Sequence, residues 1–413
     1  MSFGREFTAA LGALDVENVF VYVGDAVRWD AVPDRLADRG ALVRSISAST
    51  HSPSSFASLA TGRYPATHGV ATFTNQVSSD AFRLFDIPGY DTRFRNSIFA
   101  YAEREHGETT DPIYSVLDVD PPTDDDPLTG LEPPFVSMER GPGGHAPYGD
   151  FTGTASAYFQ QRGSSETATI RDDYRRSVEL DVDLFFERLE RLERTGRAED
   201  TLVIYTSDHG ELLGEGGELG HSSPMRPELV YIPTLFCHPK LPTTTIDDAA
   251  FHHADLLPTV LDVLGVDVAT RAAGRVPFDG RSAAAEMPTG PRPCTYENQV
   301  LPASIPFLSG SLNYQGAWDA DGGYVFARSA LPERLLVLAG KATASAKRRY
   351  VRRHLPRALR SYARASETEY GSPAFTPDEA EQLLERVTAD AVERETVSLS
   401  DDAQQRLRDL GYT

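Results

Sequence analysis

Short apolar runs and longer stretches with helical spacing of apolar residues follow one another along much of the chain. The runs are too short for helices and rich in Val, Ile and aromatic residues, which predicts buried strands. These predicted strands are Asn18–Asp25, Thr201–Tyr205 and Tyr231–His238. Helices are predicted at Asp172–Thr195 and His252–Val266, where apolar residues recur every three or four positions. This order of elements favours an α/β sandwich around a mostly parallel sheet.

The pattern is weaker in two parts of the chain. Residues 105–165 are rich in Pro, Gly, Asp and Ser, which predicts a long loop over the mouth of a site. From about residue 290 the periodicity fades, although Gly322–Ser329 is typical of a strand. We therefore expect a larger domain at 1–290 and a smaller C-terminal subdomain at 291–413.

Charge and cysteine content narrow the class of protein. The 413 residues carry a formal net charge of −21, from 61 acidic and 40 basic side chains. Such a surface repels polyanions, so neither nucleic acid nor an anionic membrane is expected as a bulk partner. The composition also suits a protein kept soluble in high salt. Cys237 and Cys294 are too few for a disulfide framework or a cysteine-based zinc site.

Two further features concern location and local charge. The sequence shows no apolar stretch of membrane-spanning length and no signal peptide, so a cytoplasmic protein is expected. The segment 341–364 reverses the global charge, with nine Lys or Arg residues and no acid. One interpretation is a contact for a polyanionic substrate or an acidic lipid surface. The other, which the acidic composition favours, is a solvated helix paired with acids of the same protein and interrupted by Pro356.

Candidate ligands for a cation follow two of the predicted strands. Asp25 ends the first strand, and Asp208 and His209 follow the strand at Thr201–Tyr205. A glycine-rich loop then leads to His221. Asp208 as a turn cap with His209 as a structural side chain is the plain alternative. Carboxylate, imidazole and hydroxyl groups together suit a divalent cation.

A candidate nucleophile precedes a short predicted helix. Ser52-Pro53 opens a helical pattern that Gly62 ends. A serine at a helix N-terminus that also touches a metal has its hydroxyl activated and faces an anionic substrate. The alternative for Ser52 is a helix N-cap.

Four motifs, in this order, resemble the sulfatases of the alkaline phosphatase superfamily. They are "TGRYPATHGV" at Thr61–Val70, "HAPY" at His145–Tyr148, "TSDHGELLGEGGELGH" at Thr206–His221 and "DLLPTVLDVLGV" at Asp255–Val266. The resemblance covers about residues 17–285 well and the tail weakly. It implies an alkaline-phosphatase-like α/β/α sandwich with a mostly parallel central sheet and a smaller C-terminal subdomain.

The resemblance also implies roles for single residues. Asp25, Ser52, Asp208 and His209 would bind one divalent metal ion, namely calcium, magnesium, manganese or zinc. Ser52 would be the nucleophile. His145 and His221 would contact the transferred anion or protonate the leaving oxygen. Structural roles are expected for Arg28, Arg63, His68, His252 and His253.

The departures from the sulfatase pattern concern the nucleophile. Ala26 stands where sulfatases have a second Asp, and Ser54 and Phe56 replace the Pro and Arg that direct formylglycine formation. An unmodified Ser52 is therefore favoured, with Thr50 as a second candidate nucleophile.

We expect a metal-dependent hydrolase of sulfate esters. One alternative is a phosphodiesterase, phosphomonoesterase or phosphotransferase on the same scaffold. A second is a non-catalytic protein that binds anionic glycans. The expected substrate is a small-molecule, glycan-linked or lipid-linked sulfate or phosphate ester.

Overall fold

The computed structural model describes residues 3–98, 111–122, 126–267, 278–300, 310–364 and 366–410. Its helices are α1 (Phe3–Gly12), α2 (Asp34–Ala37), α3 (Ser52–Thr61), α4 (Pro65–His68), α5 (Ile113–Leu117), α6 (Ala155–Arg162), α7 (Thr167–Arg194), α8 (Pro227–Val230), α9 (Leu256–Val263), α10 (Leu331–Thr343), α11 (Arg348–Arg353), α12 (Leu355–Tyr362), α13 (Pro377–Ala389) and α14 (Asp401–Leu410). Its strands are β1 (Asn18–Gly24), β2 (Ala41–Ile46), β3 (Asn75–Gln76), β4 (Asp91–Asn96), β5 (Phe135–Gly141), β6 (Thr201–Ser207), β7 (Leu212–Leu213), β8 (Leu219–Gly220), β9 (Tyr231–Cys237), β10 (Thr244–His252), β11 (Arg292–Gln299), β12 (Ser311–Trp318), β13 (Gly322–Ala327), β14 (Glu367–Gly371) and β15 (Glu395–Thr396).

Seven strands form the central sheet, in the order β10-β2-β9-β6-β1-β5-β4. The pairs of β1 with β5 and with β6, of β4 with β5 and of β2 with β10 are parallel, whereas β9 is antiparallel to both neighbours. In the pairing of β1 with β6, Gly24 lies opposite Ser207. The residues that follow these two strands therefore leave the sheet side by side, which is where open α/β sheets bind ligands.

Helices cover both faces of this sheet. Along β1, Val19, Val21 and Val23 pack into one core together with α1, α3 and α9. Phe20 and Tyr22 point to the other face and pack against α7. This alternation follows from the two-residue period of a strand, and an all-buried strand such as β1 requires cover on both sides. The α/β/α sandwich expected from the sequence is confirmed.

A second, antiparallel sheet lies in the C-terminal part, in the order β11-β12-β13-β14. Its core includes Trp318 and Tyr296 together with apolar residues of α10 and α12. An isolated bridge between Ser49 and Thr295 joins this part to the segment just before α3. The second sheet begins at Arg292, while the division into domains at 1–290 and 291–413 stays a prediction.

Two sequence expectations need correction. The long loop expected at 105–165 contains α5, β5 and α6 within its described residues. The strand β5 was missed because it carries the polar residues Glu139 and Arg140, which are buried and paired with other charges rather than exposed. The helix expected at His252–Val266 is shorter, since β10 runs to His252 and a 3-10 turn, His253–Asp255, precedes α9. Among the described residues, no helix combines the length and the apolar character that crossing a membrane requires.

Candidate active site

The site lies where β1 and β6 end. Asp25 and Asp208 are fully buried there, and the backbone N–H groups of Ala26 and His209 both donate to Asp208 Oδ1 at 2.8 Å. Ala26 adopts a φ of 58°, a left-handed conformation that costs a non-glycine residue energy. The turn after β1 is thus held in a strained shape by the carboxylate that follows β6.

The carboxylates of the site are only partly satisfied by the protein. Arg140, at the end of β5, donates from Nε to Asp25 Oδ2 at 3.0 Å, and both side chains are fully buried. Asp25 Oδ1 and Asp208 Oδ2 are also buried, yet neither has a hydrogen-bond partner among the described residues. Two such oxygens side by side are costly unless a cation lies between them. Ligand atoms of Asp25, Asp208 and His209 lie within 4.8 Å of one another, so this set fits a metal ion.

The pKa values of the two carboxyl groups move in opposite directions. Burial raises the pKa of Asp208, and the negative charge of Asp25 raises it further. Burial also acts on Asp25, but Arg140 and nearby histidines outweigh it and lower its pKa to about 2. With Arg140 cancelling one of the two carboxylate charges, the ligand set suits one divalent ion better than two.

Ser52 is the first residue of α3, and its Oγ lies 3.2 Å from His209 Nε2. His209 Nδ1 lies 2.8 Å from the Gly210 carbonyl oxygen, which can only accept, so Nδ1 carries the proton and Nε2 is left as the ligand or acceptor atom. The N-cap position of α3 is occupied by His51, so the N-cap interpretation of Ser52 is wrong. Thr50 has a buried hydroxyl without a hydrogen-bond partner among the described residues, and it stays a second candidate.

The structure brings the predicted histidines to the same place. The ring centroid of His221 lies 4.4 Å from that of His209 and 5.7 Å from that of His145. His221 Nδ1 lies 3.1 Å from Glu211 Oε2, an arrangement that stabilises a protonated imidazole. Burial lowers the pKa of both His145 and His221. Glu211 in turn accepts a hydrogen bond from the Tyr148 hydroxyl at 2.7 Å.

Several residues of the site were not predicted from the sequence. Glu211 and Tyr148 lie inside the motifs quoted above, so their positions could have been found from the motif spacing. Arg140 sits in the missed strand β5. Lys347 comes from the basic segment, and an ideal Cβ on Gly220 would collide with its Nζ while lying 3.4 Å from Glu211 Oε1. Burial lowers the pKa of Lys347 to about 8, against the opposing effect of Glu211.

Arg28 and His68, two of the residues expected to be structural, make contacts that support the local fold. Arg28 donates to Asp30 at 2.7 Å and to Glu215 at 3.0 Å, bracing the turn after β1. His68 lies 2.9 Å from Ser58 Oγ and accepts a hydrogen bond from the Val70 N–H.

Comparisons with known proteins agree with this geometry. Residues 129–266 match the family model described as Sulfatase. The low-salt glycan biosynthesis sulfotransferase Agl7 of Haloferax volcanii is 31% identical over 418 residues, which cover 97% of each chain. Its source supports the interpretation of the acidic composition as that of a halophilic protein. An extracellular sulfatase SULF-1 homolog of Drosophila melanogaster is 33% identical over 100 residues, which are 24% of this chain and 9% of that protein.

Solved structures share the fold at low sequence identity. A Bacteroides thetaiotaomicron protein from a locus for glycosaminoglycan metabolism has a TM-score of 0.56 and 15% identity, and the match covers 96% of this chain and 97% of that one. The phosphonate monoester hydrolase of Silicibacter pomeroyi has a TM-score of 0.54 and 16% identity, with 75% and 87% covered. The near full-length relative, the matched family model and the shared fold together show that the chain is an enzyme of the sulfatase family in the alkaline phosphatase superfamily.

Proposed function

We propose that the chain is a metal-dependent hydrolase of sulfate esters with the Ser52 hydroxyl as its nucleophile. The observation that carries the proposal is the 3.2 Å approach of Ser52 Oγ to His209 Nε2, next to oxygens of Asp25 and Asp208 that no described residue satisfies by a hydrogen bond. Asp25, Asp208, His209 and Ser52 would hold one calcium, magnesium, manganese or zinc ion. When bound, such an ion lowers the pKa of a hydroxyl and offsets negative charge on the transferred group.

The chain's own residues would carry the bond-making steps. Ser52 Oγ gives up its proton to solvent and attacks the ester sulfur. A new S–O bond forms, and the bond from sulfur to the ester oxygen breaks. The N-terminus of α3 favours negative charge at Ser52 and on the bound anion, because its N–H groups and dipole point there. Water then attacks the sulfated serine, which releases sulfate and restores the hydroxyl.

His221 is the better placed proton donor for the departing oxygen. Its Nδ1 lies 3.1 Å from Glu211, and this carboxylate favours the charged imidazolium that donates from Nε2, in opposition to the burial that lowers the pKa of His221. His145 bonds instead to the Ala146 carbonyl at 2.7 Å, a neutral acceptor that holds the ring but adds less to its basicity. We assign His145 to contact with the sulfate group.

A glycan is the substrate class that the comparisons favour. The relative from Haloferax volcanii is named for glycan biosynthesis, and solved neighbours are named for glycosaminoglycans. The predicted cytoplasmic location belongs to the same proposal, and cell fractionation tests it. An ester on a lipid-linked glycan would reconcile that location with a carbohydrate substrate.

Transfer of the sulfuryl group is a second candidate function. It is favoured by the name of the relative, a sulfotransferase that is 31% identical over nearly the whole chain. The same site would serve, with a sugar hydroxyl in place of water in the second step.

The test measures nitrophenol release from nitrophenyl sulfate, nitrophenyl phosphate and a bis-nitrophenyl phosphodiester. Each divalent ion is supplied in turn at high salt, with and without a glycan acceptor. Ser52→Ala should abolish turnover, whereas Ser54→Ala is the matched control because the Ser54 hydroxyl donates to the Val70 carbonyl.

The outcomes separate the candidates. Release from the sulfate ester alone, lost in Ser52→Ala, supports the hydrolase. Sulfate found on the acceptor by mass spectrometry supports transfer. Turnover of phosphate esters only would move the protein to phosphoryl chemistry. No nitrophenol release with any of the ions would contradict catalysis and favour the glycan-binding alternative.

A further inference from the structure

Exposed leucine and arginine side chains follow one another closely in sequence on the helices α11 and α12. Leu355 and Leu359, one turn apart on α12, are 41% and 48% exposed, whereas most large apolar side chains of the described residues are buried. Four exposed arginines accompany them. We call this set the basic face, and it comprises Arg349, Arg352, Leu355, Arg357, Leu359 and Arg360.

Among the described residues, no arginine of this face forms an ion pair with a carboxylate. Of the nine Lys and Arg residues at 341–364, Lys341 pairs with Glu218 and Arg353 pairs with Glu166. In the described part of the chain, the other seven have no carboxylate oxygen within 4.0 Å. Within the described ranges, pairing with acids of the same chain therefore accounts for two of the nine charges of this segment.

We propose that the basic face docks the enzyme onto an anionic lipid surface. Arginine attracts the headgroups, and leucine one turn apart inserts among the acyl chains, the combination that interfacial helices use. A polyanionic glycan would use the arginines but would leave both leucines in water. A protein partner would need a larger apolar area than two leucines supply.

The net charge of the whole protein does not oppose this contact. At about 0.15 M salt, charges more than about 8 Å apart in water are largely screened from each other. The lipid surface therefore interacts mainly with the charges of the basic face and only weakly with the acidic residues behind it. At about 1 M salt the attraction of the arginines weakens further, while the apolar contribution of Leu355 and Leu359 persists.

The helix α12 also contacts the loop that leads into the active site. The helix α12 packs against the turn Glu215–Gly217, which lies in the loop between His209 and His221. An ideal Cβ on Gly217 would lie 2.8 Å from the backbone nitrogen of Ala358, so helix and loop are in direct contact. That a lipid-linked ester is the substrate rests on the proposed function, whereas the docking itself does not.

The experiment is sedimentation of the full chain with phosphatidylcholine vesicles, with and without phosphatidylglycerol, at about 0.15 M and about 1 M salt. We expect retention on the anionic vesicles and weaker retention at the higher salt. Arg357→Glu with Arg360→Glu should lower the affinity by at least about fivefold for each arginine lost. Leu355→Gln with Leu359→Gln should remove the retention that remains at the higher salt.

The matched control reverses two exposed arginines on α7, Arg175→Glu with Arg194→Glu, and should leave retention unchanged. Thermal unfolding shows that each variant is folded. Vesicle binding is measured without turnover, so a failure of the proposed function would leave this readout intact. Retention absent from every vesicle, equal in all variants, or replaced by binding to a sulfated glycan alone would overturn the proposal.

Discussion

Two buried clusters of this protein are built from the same residue types and serve different ends. The active-site cluster contains Asp25, Asp208, His209 and Arg140. A second cluster lies at the start of α9, where Arg292 donates to both carboxylate oxygens of the buried Asp255, at 2.9 and 3.1 Å. This second cluster comprises His252, His253, Asp255 and Arg292.

In the second cluster every polar atom of the acid and the histidines has a partner. The Asp255 oxygens also accept from the backbone N–H groups of His252 and Arg281, at 2.9 and 2.7 Å. His253 accepts from the Ala48 N–H and lies 2.8 Å from the Ser207 carbonyl. Such a cluster stabilises the fold, whereas two carboxylate oxygens of the active site lack a hydrogen-bond partner in the described part of the chain and can take a ligand. The two clusters have similar residue compositions and differ in whether their polar atoms have hydrogen-bond partners.

The sharpest test of this contrast is Asp208→Asn. We expect turnover to fall about 1,000-fold or more, because an amide is a poor ligand and the charge that holds the ion is lost. Stability without metal should be unchanged or higher, since a buried like-charge contact with Asp25 disappears. Steady-state rates and thermal unfolding in chelator measure both. A variant that unfolds would place Asp208 with the structural cluster.

The opposite behaviour is expected for Asp255→Ala. It leaves Arg292 buried without its carboxylate, which should lower the free energy of unfolding by about 3 kcal/mol or more. Activity per folded molecule should persist. Denaturant unfolding, with rates measured below the transition, checks this. A fold of normal stability with lost activity would break the comparison.

Removal of the metal should destabilise the protein only through the active-site cluster. Saturating ion at about one hundred times its dissociation constant adds about 2.7 kcal/mol of stability, so chelation should lower the melting temperature of the parent protein. The Asp208→Asn variant should show a much smaller shift. Melting curves with and without chelator decide the point, and equal shifts in both proteins would contradict the ligand assignment.

The smallest effect is expected at Lys347. Lys347→Gln should raise KM for an anionic ester about tenfold with less change in kcat, because a cation near Glu211 is lost. Since the pKa of Lys347 is about 8, the ammonium is present below that pH, and the parent KM should rise above it. The variant should lack this dependence. Lys240→Gln, an exposed lysine, is the control, and an unchanged KM profile in Lys347→Gln would remove Lys347 from substrate binding.

Sequence patterns were sufficient where the chemistry follows a strand end. Asp25 and Asp208 could be predicted as neighbours because β1 and β6 read as buried strands and parallel strands align their ends. Arg140 could not, since the polar residues of β5 hide its strand pattern. Lys347 could not either, because its place next to Gly220 depends on how the C-terminal helices pack, which no local pattern encodes.

The hydrogen bond from Ala26 to Asp208 spans 182 residues of sequence. During synthesis, the first half of the site leaves the ribosome long before the second, and no partial version of it can bind. A long stretch of chain separates β1 from β6, so we expect their pairing to be slow. Until it forms, the apolar edge of β1 stays exposed. We expect the nascent chain to depend on chaperones until residues beyond 208 have emerged.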